Sequence, residues 1–248
     1  MLIDTHAHVN FNVYKDDADK VVRRSLDGGV FMINVGSQYN TSERAVEMAE
    51  KYEKGIYAAV GLHPIHVLDE EFDYEKYKTL AGSQKVVAIG ETGLDYKSEY
   101  VAFKEKQKEV FLKQLALAEE LNLPVIFHCR SAHDEMIEIL KNQPGLRGVI
   151  HCFTGNQEQA QKYLEMGFYL GLNGIIFKLN LDEAIRKIPL DKILVETDCP
   201  YLTPLPMTGR NEPLYVKYVA EKVAEIKNLS YEEIANITTQ NAKKLFNI

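Results

Sequence analysis

The chain has 248 residues, 46% of them hydrophobic, and a formal charge of −7 from 29 basic and 36 acidic side chains. That length is typical of one (β/α)8 barrel, and no apolar run approaches the roughly 18 residues of a membrane span. The acidic balance argues against a general nucleic-acid coat protein, which carries a basic face. Bound divalent cations would add positive charge that a residue count omits, so an enzyme acting on nucleic acid stays open.

Read in chain order, short apolar strands alternate with amphipathic helices. Strands are predicted at Leu2–His8, Val30–Gly36, Ile56–Leu62, Val86–Glu91, Val125–Cys129, Gly148–Phe153, Tyr169–Asn173 and Ile193–Asp198. Between them helical periodicity is clearest at Thr41–Tyr52, Tyr100–Leu121, Ala132–Lys141, Gln157–Met166 and Asn211–Lys227. A last helix runs from Tyr231 to Phe246, with Ser230 as N-cap and Glu232 and Glu233 in its first turn. Eight strands separated by helices imply a parallel sheet. Runs such as Val86-Val87-Ala88-Ile89 suit strands covered on both faces. An open doubly wound sheet is the main rival, but the first turn carries His6-Ala7-His8 and no glycine-rich phosphate loop. The expected fold is an α/β (β/α)8 TIM barrel of the amidohydrolase-like type, formed as one domain over residues 1–248.

Asp4 interrupts the first apolar stretch, so no signal peptide is expected and the protein is read as soluble and cytoplasmic. Three cysteines, Cys129, Cys152 and Cys199, cannot all pair and fit a reducing compartment. Because strand neighbours point to opposite faces, Cys129 beside His128 and Cys152 beside His151 are expected to turn away from any site that holds those histidines. No exposed heptad or apolar stripe is left over, so a monomer without an obligate protein partner is expected.

Polar residues gather at the predicted strand ends: His6, His8, His63, Glu91, His128, His151 and Asp198. The C-terminal ends of barrel strands are where active sites form. His6 and His8 lie two apart and share a strand face. A lone His-x-His is weak evidence, but four further ligand-type residues at other strand ends make a metal site the better reading. The donors are imidazole and carboxylate, which suit Zn, Mn, Fe, Ni or Mg. Six donors exceed what one tetrahedral catalytic site uses; two divalent metal ions sharing a bridging carboxylate would use them all. His63 either binds substrate or bonds the loop that follows it. Arg130 has the parity of His128 and either faces a substrate phosphate or makes a structural ion pair. His66 and His133 are read as exposed polar side chains, and the pairs Glu119/Glu120 and Glu232/Glu233 as solvated helix faces. No Gly-x-Ser-x-Gly elbow, phosphate loop or Cys-x-x-Cys pair is present.

The blocks Ile3-Asp4-Thr5-His6-Ala7-His8, Gly61-Leu62-His63-Pro64 and Gly90-Glu91-Thr92-Gly93-Leu94-Asp95 are distinctive. So are Phe127-His128-Cys129-Arg130, His151-Cys152-Phe153-Thr154-Gly155, Glu196-Thr197-Asp198-Cys199-Pro200-Tyr201-Leu202, Arg210-Asn211-Glu212-Pro213 and Asn241-Ala242. In order and spacing the sequence closely resembles the TatD family of metal-dependent deoxyribonucleases. The resemblance implies that His6, His8 and Asp198 bind one metal, that His128 and His151 bind the other, and that Glu91 bridges them. It implies that Asp198 accepts a proton from the attacking water, with His63, Arg130 and Arg210 on the substrate side. It further implies DNA as substrate, with 3′ to 5′ exonuclease action and in some members action on RNA. Fold and ligands alone do not choose a substrate. An amide, lactone or ester hydrolase on the same metal site is the alternative, and a non-catalytic nucleic-acid-binding barrel is a more distant one. Glu196 shares the parity of Asp198 but lies deeper, where a supporting role is expected.

Overall fold

Parallel strands follow one another around a single sheet in the order β1-β2-β3-β4-β5-β6-β7-β8 in the computed structural model, which describes residues 1–248. They are β1 Leu2–Ala7, β2 Val30–Val35, β3 Ile56–Val60, β4 Val86–Asp95, β5 Val125–Arg130, β6 Gly148–Ile150, β7 Tyr169–Leu172 and β8 Ile193–Val195. The ring is joined between its first and last strands by an isolated parallel bridge, Ala7 to Cys199. The His8 amide donates to the Cys199 carbonyl at 2.9 Å and the Asp198 amide to the His6 carbonyl at 2.8 Å. Buried Asp4 reinforces the seam, accepting from the Thr197 amide at 2.9 Å and the Thr197 hydroxyl at 2.6 Å. The bonds that close the barrel therefore also fix the candidate donors on β1 and after β8.

The outer layer is α1 Ala18–Asp27, α2 Tyr39–Glu50, α3 Tyr74–Ala81, α4 Lys104–Leu121, α5 His133–Lys141, α6 Gln157–Glu165, α7 Asp182–Lys187, α8 Val216–Lys227 and α9 Tyr231–Phe246. Helices α1, α3 and α7 are additions to the sequence reading; each is short, and α7 has six residues, too few to display a 3.6-residue period. α9 begins at the expected cap: the Ser230 hydroxyl accepts from the Glu233 amide and the Glu233 side chain answers on the Ser230 amide. The far end of α9 closes the barrel interior. Leu245 and Phe246 pack on a cluster that draws Ile3, Ile33, Ala59, Val87, Ile126, Val149 and Leu194 from successive strands.

Two irregularities aim the site. Ile3 packs in the barrel interior while Ala7 packs with the outer core, so strict alternation would turn His6 outward. A register shift between Asp4 and Ala7 changes the parity and brings His6 and His8 inward. β4 has a similar shift between Ile89 and Thr92, which spans Glu91. At Gly93 a side-chain carbon would collide with the His128 carbonyl, and φ there is +146°. Only glycine lets β4 lie that close to the strand carrying His128.

Strand ends also differ from the sequence reading. β6 stops at Ile150 and β8 at Val195, before the donor residues, whereas β4 continues to Asp95. Cys152 and Asp198 have φ of 45° and 56°, left-handed values that leave the ladder and turn the chain over the barrel mouth. No helix is long and apolar enough to cross a membrane.

Candidate metal centre

The six sequence-selected donors converge at the C-terminal mouth of the barrel around the Glu91 carboxylate. Glu91 Oε2 lies 3.3 Å from His6 Nε2 and 3.8 Å from His8 Nε2. Its other oxygen, Oε1, lies 2.7 Å from His128 Nδ1, 2.9 Å from His151 Nε2 and 3.4 Å from His63 Nε2. Asp198 Oδ1 stands 3.5 Å from His8 Nε2 and 3.8 Å from His6 Nε2. His6, His8 and Asp198 thus form one compact donor group, and His63, Glu91 and His128 a second. A third group is His6, His151 and Glu196, in which the His6 and His151 rings stack at 3.9 Å between centroids.

Hydrogen bonds behind the donors fix which ring nitrogen faces the centre. His8 Nδ1 lies 2.8 Å from the Val35 carbonyl, an acceptor, so that nitrogen carries the proton and Nε2 presents its lone pair. His151 Nδ1 lies 3.2 Å from Glu196 Oε1. The same oxygen takes the Cys152 amide at 2.7 Å and the Asn173 amide group at 3.1 Å. Glu196 is fully buried and holds His151 in place, the supporting role its depth suggested. His128 Nε2 lies 3.0 Å from Asp95 Oδ2. Carboxylates and a carbonyl behind ligand imidazoles are the usual means of setting tautomer and ring orientation in metal sites.

Electrostatics follow from the crowding. Burial alone would raise the Glu91 pKa, but the imidazoles of His151, His63 and His6 outweigh it and hold the carboxyl well below its ordinary range. Asp198 is lowered too, burial being outweighed by the bond with His8 and the field of His151 and His6. Burial, reinforced by neighbouring His128, presses His63 down to about 4. His6 is likewise lowered, by burial and by His151. His151 is raised against burial by Glu91 and Glu196, and His128 against burial by Asp95 and Glu91.

This donor set fits divalent cations. The Nε2 atoms of His6 and His8 stand 3.1 Å apart, with His8 presenting a lone pair, and His6 Nδ1 is buried without any partner. His151 Nε2, whose lone pair is free when Nδ1 carries the proton, confronts a carboxylate oxygen at 2.9 Å. Lone pairs and carboxylates meeting in a buried space require protons or cations between them. All are nitrogen and oxygen donors of the kind that hold transition metals and, with more carboxylate and water, Mg.

The remaining sequence-selected residues divide. His63 and Arg130 line the same cavity of about 490 Å³ as the donors. His63 Nδ1 also accepts from the Ile65 amide at 3.1 Å, so it bonds its loop as well as facing Glu91. Arg130 is 45% exposed and rests on Asp95, Nη2 to Oδ2 at 2.6 Å. Arg210 does not line the cavity; its guanidinium forks onto Asp17 at 3.0 and 2.5 Å and lies over the Tyr14 ring. His66, read from the sequence as exposed, is instead partly buried and lines the cavity wall, because the turn that follows His63 holds the two rings 6.3 Å apart.

Two further expectations are corrected. His133 is buried against Tyr163 and Phe153 because the start of α5 turns inward at that position. Cys152 lines the cavity instead of turning away from it, since the chain has left β6 and alternation no longer applies. Cys129, still on β5, borders the cavity too, but its thiol packs in the outer core, 3.8 Å from the Tyr163 hydroxyl. Asp95 was not selected from the sequence. The signal is in the sequence: Asp95 lies four residues beyond Glu91 in the same block, on a strand that runs past Glu91.

An eight-stranded barrel with nitrogen and oxygen donors converging at its C-terminal mouth is the arrangement of a metal-dependent hydrolase. The family model described as TatD related DNase matches residues 3–247, and the chain belongs to that family. It is 48% identical over 256 residues to the uncharacterized metal-dependent hydrolase YabD of Bacillus subtilis, covering 100% of both chains. It is 36% identical over 260 residues, again covering 100% of both, to a protein of Pantoea vagans named 3'-5' ssDNA/RNA exonuclease TatD. The crystal structure of YJJV, a TatD homolog from Escherichia coli k12, matches with a TM-score of 0.92 at 32% identity, covering 100% of this chain and 98% of that one.

Proposed function

We propose that this hydrolase cleaves phosphodiester bonds of DNA from the 3′ end, using two divalent cations in one domain spanning residues 1–248. The observation that carries the reading is the position of Glu91, one carboxylate oxygen facing His6 and His8 and the other facing His128 and His151. On this reading His6, His8 and Asp198 hold one cation, His128 and His151 the other, and Glu91 lies between them. The bound ions would lower the pKa of water and offset phosphate charge. Their identity among Zn, Mn, Fe, Ni and Mg is left to the assay.

The side chains perform the rest. Asp198 is ionised and borders the cavity, so its carboxylate takes a proton from the attacking water. The new bond to phosphorus forms as the bond to the leaving nucleotide oxygen breaks, and the proton passes on to that oxygen. Arg130, half-exposed at the cavity mouth, spends Nε and Nη2 on Asp95 at 3.0 and 2.6 Å but keeps its outer edge, Nη1 and the second Nη2 proton, for a phosphate. Glu196 and Asp95 keep His151 and His128 oriented. Arg210, committed to Asp17, is better read as bracing the loop before α8 than as a substrate contact. The exonuclease name carried by the Pantoea vagans relative supports the substrate and its polarity.

The test is a metal-supplemented assay on single-stranded DNA, duplex DNA, RNA and a panel of small esters, lactones and amides. Mononucleotide release from the 3′ end of labelled single strands is expected. Turnover of a small ester, lactone or amide with none of any nucleic acid, across all five metals, would replace this reading with the small-molecule one.

A further inference from the structure

A second groove opens off the metal cavity. It has a volume of about 510 Å³ and shares Phe11, Ser37, His66 and Tyr201 with the cavity wall. Phe11 stacks on the ligand His8 at 4.3 Å between ring centroids, so the groove starts directly beside the donors. No aspartate or glutamate lines it, in a chain that carries −7 in total. Its one arginine is Arg44, on α2.

Arg44 differs from five of the other six arginines. Arg23, Arg24, Arg130, Arg186 and Arg210 each have a carboxylate within 4.0 Å, whereas Arg44 has none. Its single bond in this structure runs from Nη1 to the amide oxygen of Asn12 at 2.5 Å. Its Nε is buried and unpartnered. A guanidinium has five N–H donors in a planar fork, and a buried donor left unmet is costly. At the junction of groove and cavity stands Tyr201, 56% exposed, a large aromatic surface facing solvent.

We infer that this groove is a subsite for the strand of single-stranded DNA beyond the scissile bond, with Arg44 binding a backbone phosphate and Tyr201 stacking on a base. The inference rests on the phosphodiesterase reading above and extends it from the reacting bond to its neighbours. A planar fork suits a phosphate. An exposed aromatic ring accepts any base, which suits an enzyme that reads no sequence. The donor cavity holds the reacting phosphate, and the groove would make a polynucleotide a better substrate than a dinucleotide.

The experiment measures anisotropy of a fluorescein-labelled decathymidylate against salt, in chelator to stop turnover. The wild type is compared with Arg44→Gln, Arg44→Lys, Tyr201→Ala and Arg147→Gln. Arg147 also lacks a carboxylate partner, but it lines a separate cavity with Val86, Val87 and Phe246. Arg44→Gln is expected to weaken binding about tenfold and to reduce the slope of log K against log salt by about 0.7, the value for one single-strand phosphate contact. Arg44→Lys should keep the slope, which separates lost charge from lost folding. Tyr201→Ala should weaken binding about tenfold with the slope unchanged, and Arg147→Gln should change neither. In the metal-loaded enzyme, the ratio of kcat/KM for the decamer to that for a dinucleotide should fall about tenfold in Arg44→Gln. An unchanged slope in Arg44→Gln, or equal loss in Arg44→Lys, overturns the subsite while wild-type DNA cleavage leaves the parent reading standing. Absence of cleavage of any nucleic acid by the wild type defeats the parent reading, and this inference with it.

Discussion

Replacing Asp198 by Asn separates metal binding from proton transfer. Asp198 sits at φ 56°, a left-handed conformation that asparagine adopts more readily than most residues, so the backbone bears no new strain. Its amide bond to the His6 carbonyl at 2.8 Å, which helps close the barrel, is untouched. Asn retains one oxygen at the position that now faces His8 Nε2 at 3.5 Å, and the other five donors remain. What disappears is the negative charge and the capacity to take a proton. General-base assistance is typically worth about 10²–10⁴-fold, so turnover should fall by at least ~10²-fold, equivalent to about 2.7 kcal/mol on the barrier. Single-turnover cleavage of 3′-labelled DNA would be followed alongside metal content by atomic emission and melting temperature. A variant that retains metal and folds normally but cleaves at near wild-type rate refutes the role of Asp198 as base and moves that role to His63 or to the solvent.

Other perturbations follow from the same geometry. Glu196→Gln keeps the volume but weakens the hold on His151 Nδ1, now at 3.2 Å; metal affinity is expected to drop about 10–100-fold, and a competition titration showing wild-type affinity would contradict it. Burial pushes the thiols of Cys129, Cys152 and Cys199 up to about 12, so iodoacetamide should leave the folded protein unmodified at neutral pH while denatured protein reacts at all three. Rapid labelling of the native chain would show the thiols to be accessible and ionised. His133 is held down at about 4 by burial against an ordinary value of 6.5. The unfolded chain therefore binds the extra proton first, and stability from neutral His133 is full above about pH 6.5 and lost as pH falls toward about 4. Urea titrations of wild type and His133→Asn should show the wild type losing about 2 kcal/mol more between pH 7 and 5; parallel losses would mean that His133 titrates normally.

The sequence by itself settled the architecture and the chemical type of the centre. Alternating apolar strands and amphipathic helices imply the parallel barrel, and His6, His8, Glu91, His128, His151 and Asp198 could be placed because each falls at the end of an apolar run. These are short-range features: a strand, its period and the residue where it stops all lie within one stretch of chain. Partners across the barrel do not. That Asp95 backs His128, that Glu196 backs His151 from 45 residues away, and that Arg210 is spent on Asp17 from 193 residues away depend on which strands and loops close together. Parity carried the same limit. The shift between Asp4 and Ala7 turns His6 toward the centre, and the left-handed turn at Cys152 brings that thiol to the cavity, where unbroken alternation would have put both elsewhere. Such irregularities arise where closing the ring over a polar centre outweighs the regular ladder, and that balance exists only once the barrel has formed.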